Sequence, residues 1–153
     1  MSIAPAETKR RIRRAARVML FDGVGRLLLF RFTAPGRTPF WATAGGECDA
    51  GEDFIDAARR ELFEETGIVA EPGPPIHARG NDFVTFGGEP VTADERYFRV
   101  VVETAEVDTS GHTELERAVM REHRWFERAE LAAWHEPIFP PELLDLLDRD
   151  LPA

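Results

Sequence analysis

The sequence predicts an α/β fold in which helices cover a mixed β-sheet, and three observations predict it. The chain has 153 residues, a length that favours one compact domain with its own core. Several short apolar runs are bounded by turn residues, as strands are. The segment from Asp53 to Thr66 has the apolar spacing of a helix, and Gly67 follows it as a typical helix stop. We therefore expect residues 1–153 to form a single domain.

The N-terminal half begins with residues 1–10, which we expect to be a loose start to the domain. Val18–Phe21 and Arg26–Phe32 are apolar runs on either side of a short glycine-containing turn, so they predict a β-hairpin. Residues 35–51 are interrupted by prolines and glycines and predict a loop followed by a glycine-rich turn. The helix of residues 53–66 comes next.

The C-terminal half mixes strands and helices again. Asp82–Phe86 and Tyr97–Glu103 predict two strands joined by a longer loop, and Arg124–Phe126 predicts a last strand. Ala129–Trp134 predicts a short helix, and residues 136–153 contain a C-terminal helix that we expect to pack on the domain. Four leucines form the apolar stripe of this last helix: Leu143, Leu144, Leu146 and Leu147. The stripe either packs on the domain or forms the interface of a homodimer, and the sequence leaves both alternatives open.

Composition excludes several classes of function. The formal net charge is −9, from 28 acidic and 19 basic residues, which argues against binding to long nucleic acid or to an anionic membrane. Lys9 is the only lysine, so a P-loop or a Schiff-base site has almost no candidate. Cys48 is the only cysteine, which excludes an internal disulfide framework and cysteine-rich zinc sites. No apolar run has the length of a membrane span and the N-terminus lacks an apolar signal core, so the cytoplasm is the expected location.

The helix of residues 53–66 carries three glutamates near its C-terminal end, namely Glu61, Glu64 and Glu65. Like charges three or four residues apart on a helix repel by roughly 0.2–0.5 kcal/mol per pair, and the helix dipole disfavours anions in the last turn. A bound divalent cation converts this repulsion into attraction, and Mg²⁺ prefers oxygen ligands that it shares with substrate phosphates. The alternative is a solvated helix face with ion pairs, and the cluster alone leaves both interpretations open.

The spacing around these glutamates is more specific than the cluster itself. Nine positions within residues 46–68 follow the pattern Gly-x5-Glu-x7-Arg-Glu-Leu-x-Glu-Glu-x-Gly-Ile. The pattern matches the Nudix box at every specified position, so the chain resembles the Nudix hydrolases. The preceding hairpin, Trp41 and the last strand extend the resemblance over residues 13–134. Ala44 departs from the family, which often has proline before the paired glycines, and this leaves the metal-ligand positions untouched.

The resemblance implies a fold and an activity. The family fold is an α/β/α sandwich around a mixed sheet, and the box forms a loop–helix–loop. Members of the family typically hydrolyse a nucleoside diphosphate linked to a further group, with Mg²⁺ or Mn²⁺ as cofactor. We therefore expect water to attack phosphorus in a small nucleotide-type substrate. A nucleoside triphosphate, a nucleotide sugar and a dinucleoside polyphosphate all remain open as substrates.

The resemblance also implies roles for residues of the box. The expected metal ligands are the three helix glutamates and the backbone carbonyl of Gly45. Arg60 and Glu52 are expected to pair and to brace the loop against the helix. Glu61 or Glu64 could take the proton of the attacking water.

Family members also use a glutamate outside the box whose position varies. Glu116 is the first candidate because it lies in the variable stretch before the last strand, with Glu95 and Glu122 as alternatives. Three further residues are candidates for contact with the substrate: Arg17, Arg31 and Trp41. Arginine binds phosphate through two parallel hydrogen bonds, and an indole stacks on a base. A purely structural role is the alternative for each of these side chains.

A second hypothesis comes from a different class of function. The chain could be a Nudix-fold binding module that senses a nucleotide without turning it over. The intact set of carboxylates argues against this, because a sensor has no need for every metal ligand. Product release from a nucleotide panel, measured with and without Mg²⁺, distinguishes the two hypotheses.

Overall fold

The computed structural model describes residues 9–103 and 106–149. Most of the loose start expected for residues 1–10 lies outside this part. Within the described residues the strands are β1 (Arg11–Phe21), β2 (Leu27–Phe32), β3 (Phe40–Glu47), β4 (His77–Val84), β5 (Pro90–Val101), β6 (Glu122–Phe126) and β7 (Ile138–Phe139). The helices are α1 (Phe54–Thr66), α2 (Glu114–Val119), α3 (Arg128–Ala132) and α4 (Leu143–Asp148).

The strands form one mixed sheet, which confirms the predicted fold class. Its order is β4-β5-β1-β2-β3-β7, and β6 pairs with β2. The long parallel pair β1–β5 joins an antiparallel hairpin, β4–β5, to the other strands. Strand β1 also pairs with β3 through Ala15–Val18. Strand β1 is therefore an interior strand of the sheet.

Side chains alternate along β1 between two cores, because successive residues of a strand point to opposite faces. Val18 and Leu20 belong to a core that includes Ala58 and Leu62 of α1. Met19 belongs to the second core, together with residues of α3 and α4: Leu131, Leu143 and Leu146. Helices thus cover both faces of the sheet, as in the predicted sandwich. The α4 leucines at positions 143 and 146 are buried within the chain itself.

Helix α1 begins and ends close to its predicted limits. It ends at Gly67, whose φ of 74° lies in the left-handed region and whose amide donates to the carbonyl of Phe63 at 2.8 Å. The buried face is wider than the apolar spacing suggested. Glu61 and Glu65 are both buried in this face, although neither is apolar. The helix therefore brings two carboxylates under the protein surface.

Several elements differ from the prediction. Strands β4 and β5 begin at His77 and Pro90, before the predicted Asp82 and Tyr97, so the longer loop expected between them belongs largely to β5, and β7 was not predicted. Phe40–Glu47 was expected to be part of a loop and a glycine-rich turn, and it forms strand β3. Small residues dominate the segment and give little β-propensity, so pairing with β1 and β2 decides its conformation. Helix α2 lies in a segment for which no helix was predicted. Among the described residues, no helix is both long enough and apolar enough to cross a membrane.

Candidate active site

A cavity of about 870 Å³ opens between the sheet, α1 and α2. Its size is typical of a site for a small molecule. Glutamates of α1 and α2 form what we call the acidic wall: Glu61, Glu64, Glu65 and Glu116. Arginines of β1 and β4 form the basic wall, namely Arg13, Arg17 and Arg79, and an aromatic wall contains Phe32, Phe40, Phe83 and Phe86. Further charged side chains also line the cavity: Arg37, Arg60, Glu47, Asp49 and Glu95. One cavity therefore combines groups suited to a cation, to phosphate oxygens and to a flat ring.

Three carboxylates of the acidic wall form a tight group, which we call the acidic cluster: Glu61, Glu65 and Glu116. One oxygen from each lies within 4.8 Å of the others. Burial raises the pKa of Glu61, and burial together with the Glu61 charge raises the pKa of Glu65 well above its usual range. The cluster is electrostatically unfavourable by itself, because it removes negative charges from water and holds them together.

Glu116 reaches the cluster from helix α2. The side chain of Thr113 accepts a hydrogen bond from the Glu116 amide at 3.1 Å, and Glu116 Oε1 accepts one from the Thr113 amide at 2.9 Å. This reciprocal arrangement is a capping box, and it fixes where α2 begins. The Thr-x-x-Glu spacing of residues 113–116 is a sequence signal for such a helix start, and it was overlooked in the prediction.

The glycines at the end of β3 allow α1 to approach the sheet closely. The Gly45 amide donates to Glu65 Oε2 at 2.6 Å, and the backbone φ of Gly45 is +134°. A Cβ at Gly46 would lie 2.7 Å from the Glu61 carboxylate, which is closer than atoms can pack. A Cβ at Gly45 would lie 2.1 Å from the Ala16 carbonyl oxygen on β1. A side chain at Gly46 would therefore displace the acidic cluster, and one at Gly45 would separate β3 from β1.

Arg60 ties the loop before α1 to the helix. Its guanidinium donates two parallel hydrogen bonds to Glu52, at 3.0 and 2.9 Å. It also donates to Glu61 Oε1 at 2.9 Å and to the Glu47 carbonyl at 3.0 Å. The pKa of Glu52 is lowered mainly by its hydrogen bonds from Arg60. The expected pair of Arg60 and Glu52 is therefore present, and it positions one carboxylate of the cluster.

Glu64 stands apart from the acidic cluster, although the sequence placed it among the metal ligands. Its carboxylate accepts a hydrogen bond from Arg60 at 3.1 Å and is half-exposed on the cavity wall. The group within 4.8 Å instead contains Glu116. Buried His112 has a hydrogen bond of 2.8 Å between its Nε2 and the Glu65 carbonyl, so it holds the end of α1 in place. No motif in the sequence indicates this contact.

The three residues predicted to contact the substrate lie in different places in the structure. Arg17 lies on the basic wall, where it donates to Glu95 at 3.0 Å and to the Gly45 carbonyl at 3.3 Å. Arg31 and Trp41 do not line the cavity. Both donate to Glu136, and the Trp41 ring is buried in the second core. Hydrogen bonds to Glu136 therefore hold both side chains outside the cavity wall, and their contact with a substrate stays a prediction.

The donor set of the acidic cluster fits a hard divalent cation. Carboxylate oxygens are the ligands that Mg²⁺ and Mn²⁺ prefer, and no nitrogen or sulfur donor belongs to the group. The Gly45 carbonyl also lines the cavity. A cation at this point would offset the charges that raise the carboxylate pKa values.

Comparison with known proteins identifies the family. The model of the NUDIX domain matches residues 11–147, which is most of the chain. The chain belongs to the Nudix family. This confirms the resemblance found in residues 46–68 and extends it beyond the residues 13–134 predicted from the sequence.

The relatives include Nudix proteins of several bacteria. An uncharacterised Nudix hydrolase of Yersinia pestis is 41% identical over 64 residues, which are 39% of this chain and 34% of that protein. Phosphatase NudJ of Escherichia coli is 42% identical over 48 residues, 31% of each chain. The chain thus matches about a third of the length of these curated relatives.

Solved structures share the fold over nearly the whole chain. A MutT protein of Methanosarcina mazei has a TM-score of 0.70 and 19% identity, and covers 94% of this chain and 95% of its own. An Ap4A hydrolase of C. elegans has a TM-score of 0.56 and 21% identity, and covers 88% of this chain and 92% of its own. At these identities the similarity shows the Nudix fold and nothing finer.

Proposed function

We propose that this Nudix protein hydrolyses the pyrophosphate bond of a nucleoside diphosphate linked to a further group, with Mg²⁺ or Mn²⁺ as cofactor. The observation that carries the proposal is the acidic cluster, in which three carboxylates lie within 4.8 Å in a cavity that also contains arginines. This combination suits a cation and a phosphorylated ligand together. The family supports the same activity.

Glu61, Glu65 and Glu116 would hold the cation, with the Gly45 carbonyl as a further ligand. The cation supplies charge neutralisation at the phosphates and lowers the pKa of water. Arg17 lies next to Gly45 across the β1–β3 pair and would bind a phosphate oxygen from the basic wall. Arg60 and Glu52 keep the loop and α1 together, so the ligand atoms stay in place during the reaction.

Two carboxylates are placed to take the proton of the attacking water, namely Glu61 and Glu64. Glu61 would also hold the cation, whose charge would offset the burial that raises the pKa of Glu61 in the metal-free protein. Glu64 lines the cavity, is half-exposed and lies outside the acidic cluster, so it could take the proton and pass it on to solvent. We therefore assign the first proton transfer to Glu64, and Glu61 remains the second candidate.

Three substrate classes remain within the proposal: nucleoside triphosphates, nucleotide sugars and dinucleoside polyphosphates. Structural neighbours include both a MutT protein and an Ap4A hydrolase, so the fold alone does not select among these classes. The size of the cavity and the net charge of −9 favour a small molecule over long nucleic acid. The aromatic wall is suited to stacking on a base.

The test is a panel of these three classes, incubated with the protein in Mg²⁺, in Mn²⁺ or in EDTA. Products are separated by chromatography, and hydrolysis in H₂¹⁸O shows which phosphorus is attacked. We expect metal-dependent cleavage of at least one compound and none in EDTA. Tight binding without metal-dependent cleavage of any compound would instead favour the nucleotide-sensing module.

A further inference from the structure

Arg13 lies closer to the start of β1 than Arg17 does, and the proposed reaction does not use it. It lies on β1 four residues before Arg17, and the β-sheet register aligns it with Ala93 on β5 and Asn81 on β4. Its side chain is only 18% exposed, and its guanidinium lies 5.8 Å from the centroid of the Phe83 ring. Arg13 is therefore a partly desolvated cation whose head faces the cavity.

Its two neighbours on the basic wall are better neutralised. Arg17 donates a hydrogen bond to Glu95 at 3.0 Å. Arg79 lies 3.2 Å from Glu142 and donates to Asn81 Oδ1 at 2.9 Å.

Arg13 has a weaker partner. Its ion pair with Glu47 is 3.6 Å long. Glu47 also accepts a hydrogen bond from Arg11. Burial and the Arg17 charge lower the pKa of Arg13. A partly desolvated guanidinium whose carboxylate partner lies beyond hydrogen-bond distance gains more from a bound anion than one that is already hydrogen-bonded to a carboxylate.

The position of Arg13 indicates which part of a ligand it can reach. Arg17 lies beside Gly45, whose amide holds the acidic cluster. Arg13 and Arg17 are four residues apart on an extended strand, so their Cα atoms are roughly 13 Å apart. This is longer than a diphosphate, so a ligand whose diphosphate lies at the cluster would place a different part of its structure near Arg13.

We propose that Arg13 binds a second anionic group of the substrate, a phosphate monoester or a carboxylate outside the diphosphate. The inference rests on the proposed hydrolase function and specifies its substrates more closely. Guanidinium recognises both groups through parallel hydrogen bonds. Arg11 keeps Glu47 partnered when Arg13 turns to the ligand, because Arg11 lies on the same strand and already contacts that carboxylate. The enzyme should therefore prefer substrates that carry this extra charge.

The test uses two pairs of compounds that differ by one anionic group. NADPH has a phosphate monoester that NADH lacks, and UDP-glucuronate has a carboxylate in place of the hydroxymethyl group of UDP-glucose. We expect the wild type to prefer the charged member of at least one pair. Arg13→Gln should lower kcat/KM for that member roughly tenfold or more and leave its uncharged partner nearly unchanged. The pair that responds shows whether the group is a phosphate or a carboxylate.

The matched control is Arg96→Gln, which removes one positive charge from the neighbouring strand β5. Arg96 pairs with Asp94 and stacks on Phe54, away from the cavity wall. Arg96→Gln should leave the ratio of kcat/KM values within each pair of compounds unchanged. The proposal would be overturned if Arg13→Gln lowered kcat/KM equally for the charged and the uncharged member of each pair. It would also be overturned if the variant kept the wild-type ratio of kcat/KM values in both pairs. Thermal unfolding of each variant confirms that the fold is intact.

Calorimetric binding of the same compounds in EDTA separates this proposal from the proposed reaction. If nothing is hydrolysed but Arg13→Gln weakens binding of a charged member selectively, the anion site stands and the hydrolase function fails. If compounds are hydrolysed and bound without regard to the extra charge, the hydrolase function stands and the anion site fails. Each proposal can therefore fail without the other.

Discussion

The acidic cluster and Glu136 place carboxylates in partly buried surroundings with opposite consequences. Glu136 accepts two hydrogen bonds from Arg31, at 3.0 and 2.8 Å, and one from the Trp41 indole at 2.9 Å. These donors lower the pKa of Glu136 to about 2. In the acidic cluster the carboxylates face one another instead, and the pKa values of Glu61 and Glu65 are raised. The surroundings of Glu136 stabilise the folded chain. The acidic cluster destabilises it unless a positive charge binds there.

The difference shows which interactions serve the fold and which serve the site. Arg31, Trp41 and Glu136 connect β2 and β3 to the segment before β7, and both charged groups have a partner. Among the described residues, the acidic cluster instead holds three carboxylates together with a single arginine partner, Arg60, beside glycines that let α1 approach the sheet. Proteins violate local stability rules mainly where function requires it. Substitutions in the two regions should therefore have opposite effects on stability and turnover.

Glu65→Gln should have the largest effect. The amide keeps the shape of the side chain but removes a charged oxygen ligand, so turnover should fall by about two orders of magnitude or more. The metal-free protein should be as stable as the wild type or more stable, because repulsion within the cluster is relieved. Steady-state kinetics and denaturant unfolding in EDTA measure both effects. Near-normal turnover would show that Glu65 is not a ligand.

The control for Glu65→Gln is Glu71→Gln. Glu71 is exposed and pairs with Arg59, away from the cavity. This variant should keep wild-type turnover, which would show that the loss in Glu65→Gln comes from its position in the cluster and not from removing one acidic charge.

Divalent cations should stabilise the folded protein through the cluster. Mg²⁺ or Mn²⁺ at about 100 times its dissociation constant should raise the free energy of unfolding by about 2.7 kcal/mol, and EDTA should reverse the gain. The gain should be much smaller in Glu65→Gln and unchanged in Glu136→Gln. Chemical unfolding at constant ionic strength measures it. An equal gain in all three proteins would place the cation elsewhere.

Glu136→Gln should show the opposite pattern. Removing the charge leaves Arg31 without its close partner, so unfolding free energy at neutral pH should fall by about 2 kcal/mol. The lowered pKa gives stability that is complete above the unfolded pKa, 4.5, and is lost as pH falls towards about 2. The difference in free energy of unfolding between wild type and variant should therefore become smaller as the pH falls over that range.

Unfolding curves collected between about pH 7 and about pH 2.5 test this prediction. The variant should retain turnover, because Glu136, Arg31 and Trp41 lie outside the cavity wall. A stability difference that stays constant with pH would show that the Glu136 charge is not what stabilises the wild type.

Sequence reasoning predicted the parts of the molecule that local chemistry determines. The α1 helix has its own apolar spacing and a glycine stop, so its limits were predictable. The box pattern predicted the pairing of Arg60 with Glu52, because both belong to one loop–helix unit. Strand β3 was missed because partners distant in sequence decide its conformation.

The remainder of the site depends on long-range contacts. Arg31 and Trp41 pair across β2 and β3 on the sheet face of the second core, where both donate to Glu136, about a hundred residues along the chain. The burial of Glu61 and Glu65 also follows from the approach of α1 to Gly45 and Gly46, which apolar spacing does not show. Glu116 joins Glu61 and Glu65 from a different helix, α2, and no spacing within α1 shows that contact.

Glu116→Gln should have a smaller effect than Glu65→Gln because it removes the one ligand of the cluster that does not belong to α1. The new amide oxygen would still accept a hydrogen bond from the Thr113 amide, so the capping box and α2 should remain. We expect turnover to fall about tenfold and the Mg²⁺ concentration for half-maximal activity to rise, since one charged ligand is lost. Glu114→Gln, an exposed neighbour outside the cavity wall, is the control and should change neither value. Unchanged kinetics in Glu116→Gln would move the assignment to Glu95, the other glutamate candidate on the cavity wall.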